Sequence, residues 1–286
     1  MKKDALSKSV IAFGLLSTIT FVPFCQTAQA QGKLVAPVIF QAAGPTAESI
    51  QGAVDAYRAA LGEPNNANNP GPLSSGRREI NWDGGGSTDT TAPVTPFNVF
   101  LNTRGGQFTT LGIGLTQAPP SGGAQGGLEA LFNNPTYGAT FSTFSAPRLF
   151  SPVGSNLTEA LFFVPGANAN LPPNTNPQAP ATVRGFGAVF TDVDESNGIG
   201  PRGRRANPRG DSTLLEYFDR DGKLIFSSFV PASPGDASLS FFGVLFDEAV
   251  IARVRITTGN VAPGPDDGEV DIVMMDDFFY SEPQAY

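Results

Sequence analysis

What constrains this chain most is its punctuation. Thirty-three glycines and 25 prolines break 286 residues into short runs, and the runs between them are rich in phenylalanine, of which there are 23. Short apolar runs of Phe, Val and Ile between Gly/Pro/Asn clusters read as strands and loops, so the chain is expected to be all-β. The expected strands are 78–82, 108–115, 140–144, 160–164, 183–192, 213–218, 223–230, 239–246, 251–257 and 271–280. Two are informative in themselves. From Ile251 the residues alternate, with Ala252, Val254 and Ile256 on one face and Arg253, Arg255 and Thr257 on the other, the pattern of a strand with one wet side. Val183 to Phe190 is apolar on both faces apart from Arg184, which predicts an inner strand. Phe186-Gly-Ala-Val-Phe190 and Phe242-Gly-Val-Leu-Phe246 resemble each other and are candidates for sheet neighbours.

One segment carries a helical period. Ile50, Val54, Tyr57 and Leu61 form a single apolar stripe, with Thr46 as N-cap, Glu48 at the positive end of the dipole, and Gly62 and Pro64 as the stop. Asp219-Arg-Asp-Gly222 opens like a calcium loop but lacks the downstream Glu that such a loop requires, and reads as a hairpin turn.

The N-terminus reads as an export signal. Lys2, Lys3 and Lys8 precede an apolar stretch from Val10 to Val22, and Ala28-Gln29-Ala30 is a small-x-small cleavage site. The expectation is a signal peptide over 1–30 and one β-sandwich domain over 31–286, secreted, periplasmic or at the cell surface. Cys25 stands inside the signal without the small residues that lipoprotein processing needs. No later stretch is long and apolar enough to span a membrane, and no hydrophobic tail or C-terminal anchor is expected.

Composition then excludes chemistry. There is no histidine, and the single cysteine is Cys25. A chain exported in this way has no disulfide, no catalytic imidazole or thiolate, and no nitrogen or sulfur metal ligand. What remains is carboxylate, hydroxyl, amide and aromatic chemistry. Cleavage would remove three lysines and Asp4, carrying the net charge from −8 to −10. That repels phosphate backbones, so nucleic acid is not an expected partner.

Three constellations stand out. Asp192, Asp194 and Glu195 follow one strand, and Asp276 and Asp277 lie in the last; together they could supply oxygens to a structural calcium, with Asp192, Asp194, Asp276 and Asp277 as the ligand candidates, or they are simply solvated. Glu79-Ile-Asn-Trp-Asp83 holds the only Trp: Trp82 with Glu79 and Asp83 could bind a sugar, but alternation puts Ile80 and Trp82 on one face, which favours a buried ring. Arg202, Arg204, Arg205 and Arg209 form a basic patch that includes Arg209-Gly-Asp211, read as a solvated loop.

Two of these segments also carry a resemblance. DIVMMDDFFY (271–280) resembles the last strand of bacterial secreted jelly-roll modules of the galactose-binding-like and carbohydrate-binding-like kind, and GFGAVFTDVD (185–194) resembles an earlier strand and loop of the same proteins. GRREINWDG (76–84) and SAPRLF (145–150) are similar to segments of an uncharacterised secreted bacterial family that combines them with that ending. The resemblance implies a jelly-roll β-sandwich with one N-terminal helix and implies no particular activity. The expected role is non-enzymatic binding, adhesion or structural work at the cell exterior, with an extracellular glycan or cell-surface component as partner. The alternative is a carbohydrate-active enzyme using a carboxylate pair. The jelly-roll glucanase pattern Glu-x-Asp-x-x-Glu is absent, and the spacing of Glu79 and Asp83 does not replace it.

Overall fold

The computed structural model describes residues 36–166, 179–194, 199–200, 204–205, 213–265 and 270–286, all within one compact unit, Leu34–Tyr286. The export signal, Glu195, Arg202 and Arg209-Gly-Asp211 lie outside the described residues, as do the side chains of Arg204 and Arg205. In chain order the elements are β1 (Val38–Gly44), α1 (Ala47–Leu61), β2 (Arg77–Ile80), α2 (Leu101–Arg104), β3 (Gly106–Thr109), β4 (Gly114–Ala118), α3 (Gly127–Phe132), α4 (Tyr137–Thr140), β5 (Leu149–Val153) and β6 (Leu157–Phe162). They continue with β7 (Ala181–Thr182), β8 (Gly185–Thr191), β9 (Ile199–Gly200), β10 (Arg204–Arg205), β11 (Leu214–Phe218), β12 (Leu224–Phe229), β13 (Leu239–Leu245), β14 (Arg253–Thr257), β15 (Met274–Ser281) and β16 (Gln284–Ala285).

Two antiparallel sheets share one core. The larger runs β1-β13-β8-β15-β5-β4, with β2 also paired to β15; the smaller runs β12-β11-β14-β6-β3. Between them Phe186, Phe242, Met275, Phe278 and Tyr280 of the larger sheet meet Phe108, Phe162, Tyr217, Val254 and Ile256 of the smaller. This is the expected all-β sandwich with an N-terminal helix. Alternation explains the smaller sheet: Val254 and Ile256 are buried, while Arg253 and Arg255 turn outward and pair with Glu159 across β6.

The larger sheet is buried on both sides. α1 lays its stripe, Ile50, Val54, Tyr57 and Leu61, on Val189, Leu239, Phe241 and Phe279, and the short helices α3 and α4 place Leu128, Phe132 and Tyr137 on Leu149 and Met274. That is why β8, β13 and β15 read as nearly continuous apolar runs. The two similar Phe-Gly strands are neighbours, and their glycines face each other, Gly187 opposite Gly243. Above this pair lies Tyr57, whose hydroxyl donates to Val244 O at 2.8 Å. A Cβ on Gly243 would stand 2.9 Å from the Tyr57 ring and one on Gly187 2.8 Å, so glycine is what lets the helix approach.

Some expectations need correction. The single strand expected over 108–115 is two, β3 and β4, in different sheets: Gly112 makes the crossing, where a Cβ would stand 2.1 Å from Val153 O. The strand expected over 140–144 is the end of α4 followed by a strap without regular pairing. β1 and β5 were not expected. Thr46 has the extended backbone of an N-cap, but its hydroxyl meets Ser49 Oγ at 3.3 Å rather than a backbone N–H. The Asp219 turn is the hairpin between β11 and β12, with Asp219 Oδ1 accepting from the N–H groups of Asp221 and Lys223.

Candidate functional site

A buried polar site is built on a defect in β15. Along β15, Met275 pairs with Phe190 and Phe278 with Ala188, so Asp276 and Asp277 together oppose the single residue Val189. This is a β-bulge. Without the extra residue the alternation would send Phe278 away from the core. With it, Met275, Phe278 and Tyr280 all face the inter-sheet core, and the two carboxyl groups turn to the helix-bearing side.

The strap between α4 and β5 closes over them. Phe144 N–H donates to Asp276 Oδ2 at 2.6 Å. Ser145 Oγ lies 2.6 Å from Asp277 Oδ1 and 3.0 Å from Asp83 Oδ2, so one hydroxyl serves two carboxyl groups. Asp83 Oδ1 accepts from Arg148 N–H at 3.0 Å. Asp83 is aimed there because Trp82 adopts a left-handed backbone (φ 64°), unusual for so bulky a residue. That turn sends the indole inward and the following carboxylate outward. The Arg148 guanidinium holds it by donating from Nε and Nη2 to Trp82 O at 2.9 and 2.6 Å. The indole N–H donates to Asp276 O at 2.8 Å, so ring and bulge fix each other.

Solvent hardly reaches these acids: Asp276 is fully buried, Asp83 is 5% exposed and Asp277 4%. Burial, then the charge of Asp277, pushes the Asp276 carboxyl well above the usual carboxylate range. Burial pushes Asp277 up to about 6, against the opposing pull of Ser145, Asp276 and Arg58. Asp276 is therefore biased towards its protonated form. Its Oδ1 has no hydrogen-bond partner among the described residues, and the neighbouring Asp277 raises its pKa further. Neighbouring buried like charges oppose each other's ionisation. Further out, Arg58 of α1 lies 3.9 Å from Asp277 Oδ2 and 3.1 Å from Glu79 Oε2, and Arg77 holds Glu79 at 2.6 Å.

The expected site residues thus separate. Glu79 belongs to an ion-pair ladder with Arg58 and Arg77. Trp82 is fully buried: its ring stacks on Phe150 with centroids 3.7 Å apart and meets Phe278 edge-on at 4.9 Å, so it presents no face to a sugar. The sugar-platform reading of Trp82 is corrected to the buried one. Asp83 joins Asp276 and Asp277, a grouping the sequence did not predict.

The four calcium candidates are not brought together. Asp192 lies three residues beyond Val189 on β8, about 10 Å along the strand from the bulge. Asp194 Oδ1 accepts from Gly235 N–H at 3.0 Å, away from β15. Among the described residues no three acidic side chains form a group able to hold a metal ion, and calcium asks for six to eight oxygens. The residues described do not fit the expected ion.

Ser145, Arg148 and Arg58 were not foreseen as site residues. Ser145 and Arg148 stand in a segment noticed only for its resemblance, and Arg58 is one charge on a helix whose apolar stripe drew the reading. The chain has no match among protein-family models, curated proteins or solved structures.

Proposed function

We propose that this chain is an exported, non-enzymatic protein of the cell exterior, serving in binding, adhesion or structure, and that its carboxyl cluster is a clasp of the fold. One observation carries this reading. Asp83 and Asp277, the pair best placed for carboxylate chemistry, converge on the hydroxyl of Ser145, and each is about one-twentieth exposed. A glycosidase needs that space for the glycosidic oxygen and, in the inverting case, for a water. Here the fold itself fills it. The absence of histidine and the confinement of cysteine to position 25 also argue against most other hydrolytic machinery.

The enzyme reading has one observation of its own: a carboxyl group near pKa 6 beside a second carboxylate is how acid and base roles are often divided. The two readings differ in a direct assay. The chain, incubated with soluble polysaccharides between pH 4 and 7, is expected to release no reducing ends. Release that disappears in Asp277→Asn would overturn the non-enzymatic reading.

A further inference from the structure

Beside the clasp the strap has a second side. The chain from Phe141 to Pro147 forms one wall of an open cleft of about 500 Å³, and Thr88 and the turn after β4 contribute the rest. Four hydroxyl groups line it, those of Thr88, Ser121, Ser142 and Thr143. None of the four side chains is hydrogen-bonded elsewhere among the described residues, and all four reach solvent. Between them stand the flat rings of Pro120 and Pro147, with Phe141 beneath. No basic side chain lines the cleft, and the Glu129 carboxylate stands against Gly138 at its edge.

We propose that this cleft binds an uncharged sugar chain. The inference rests on the exterior-binding reading above and gives that reading a place and a ligand class. An anionic ligand would shed hydration here without gaining a partner. The acidic chain, with its net charge of −8, also repels anionic polymers. Hydroxyls that both donate and accept match a ligand whose own hydroxyls do both. The proline rings offer apolar surface to the C–H faces of a pyranose.

The wall is also pre-set. On its sheet side Ser142 N–H donates to Thr191 Oγ1 at 3.0 Å, Phe144 N–H to Asp276 and Arg148 N–H to Asp83, while Ser145 meets Asp277. Four successive ties hold the strap in place before any ligand arrives, so binding loses little to ordering. This gives the clasp a purpose beyond stability.

The test uses the full exported chain on arrayed neutral gluco-, manno-, xylo- and galacto-oligosaccharides, with heparin, polygalacturonate and a proline-rich peptide alongside, followed by titration of the strongest binder. Binding of a neutral oligosaccharide is expected. Ser142→Ala and Thr143→Ala should each weaken it by about threefold to tenfold, the worth of one hydrogen bond. Ala146→Trp should fill the cleft and abolish it. Ser227→Ala, on the outer face of the smaller sheet, should leave it unchanged. A melting curve for each variant separates lost binding from lost folding. Sugar binding that survives Ala146→Trp in folded protein would overturn the inference while leaving the exterior-binding reading intact. So would a wild-type chain that binds no neutral sugar, or one that takes the charged polymers or the peptide in its place. Hydrolysis of the sugar would instead overturn the functional reading.

Discussion

Trp82 shows how one residue can serve several parts of a fold. It fills the core between the sheets, its N–H fixes the bulge, and its carbonyl anchors Arg148. Trp82→Ala is expected to lower stability by about 3–5 kcal/mol, the usual result of emptying an aromatic core site, read as the shift of a urea midpoint. Trp82 is also the only Trp, so its emission should be blue-shifted and inaccessible to acrylamide in the folded chain. Asp276 and Asp277 make the opposite contribution at neutral pH. Their folded pKa values are raised, so the stability linked to their protonation is complete below the unfolded value of about 3.9 and is lost as pH rises, through about 6 for Asp277. Stability should therefore increase from pH 7 to pH 5, measurable as a rise in Tm. The sequence made the acidity of 276–277 visible but not its burial. Strict alternation along β15 puts only one of two adjacent residues on each face, and the bulge that breaks the alternation has no local sequence signal.

At the scale of elements, sequence reading succeeded where the period was clean and failed where the chain turned without a marker. The α1 stripe, the outward arginines of β14 and the hairpin at Asp219 were all legible, because each follows from side-chain spacing or turn chemistry alone. The pairing of the two Phe-Gly strands was legible as a likeness. Its reason appears only in three dimensions, where Gly187 and Gly243 make a floor for Tyr57. Gly243→Ala is expected to destabilise by about 1–3 kcal/mol, because its methyl group would push against a ring already hydrogen-bonded to Val244. The same change in a Tyr57→Leu background should do less harm than the separate effects predict. A double-mutant cycle that gave simple additivity would argue against the contact. β3 and β4 were read as one strand because the Gly112 crossing lies inside a run that keeps its apolar character. The strand expected over 140–144 falls on the end of α4 and the start of the strap, which side chains and not a ladder hold in place.

For the whole molecule, the sandwich follows from composition: short Phe-rich runs broken by glycine and proline can bury their faces only by stacking sheets. What composition could not give is the covering of the larger sheet on its second side by α1, α3 and α4, or the joining of the last strand to the strap through carboxyl groups. Calcium is not needed to make that joint, so Tm is expected to be the same with added calcium and with chelator. A calcium-dependent rise would contradict this. The central claim is that the buried bulge pair clasps the fold and holds its protons above the usual carboxylate range. The most direct test is the melting temperature of Asp276→Asn against wild type at pH 7 and pH 5. The amide can still accept from Phe144 and can donate to Asp277 without a titrating proton. The account predicts that the variant melts higher than wild type at pH 7 and loses much of the pH dependence. A variant that melts several degrees lower at pH 7, with the wild-type pH dependence preserved, would contradict it.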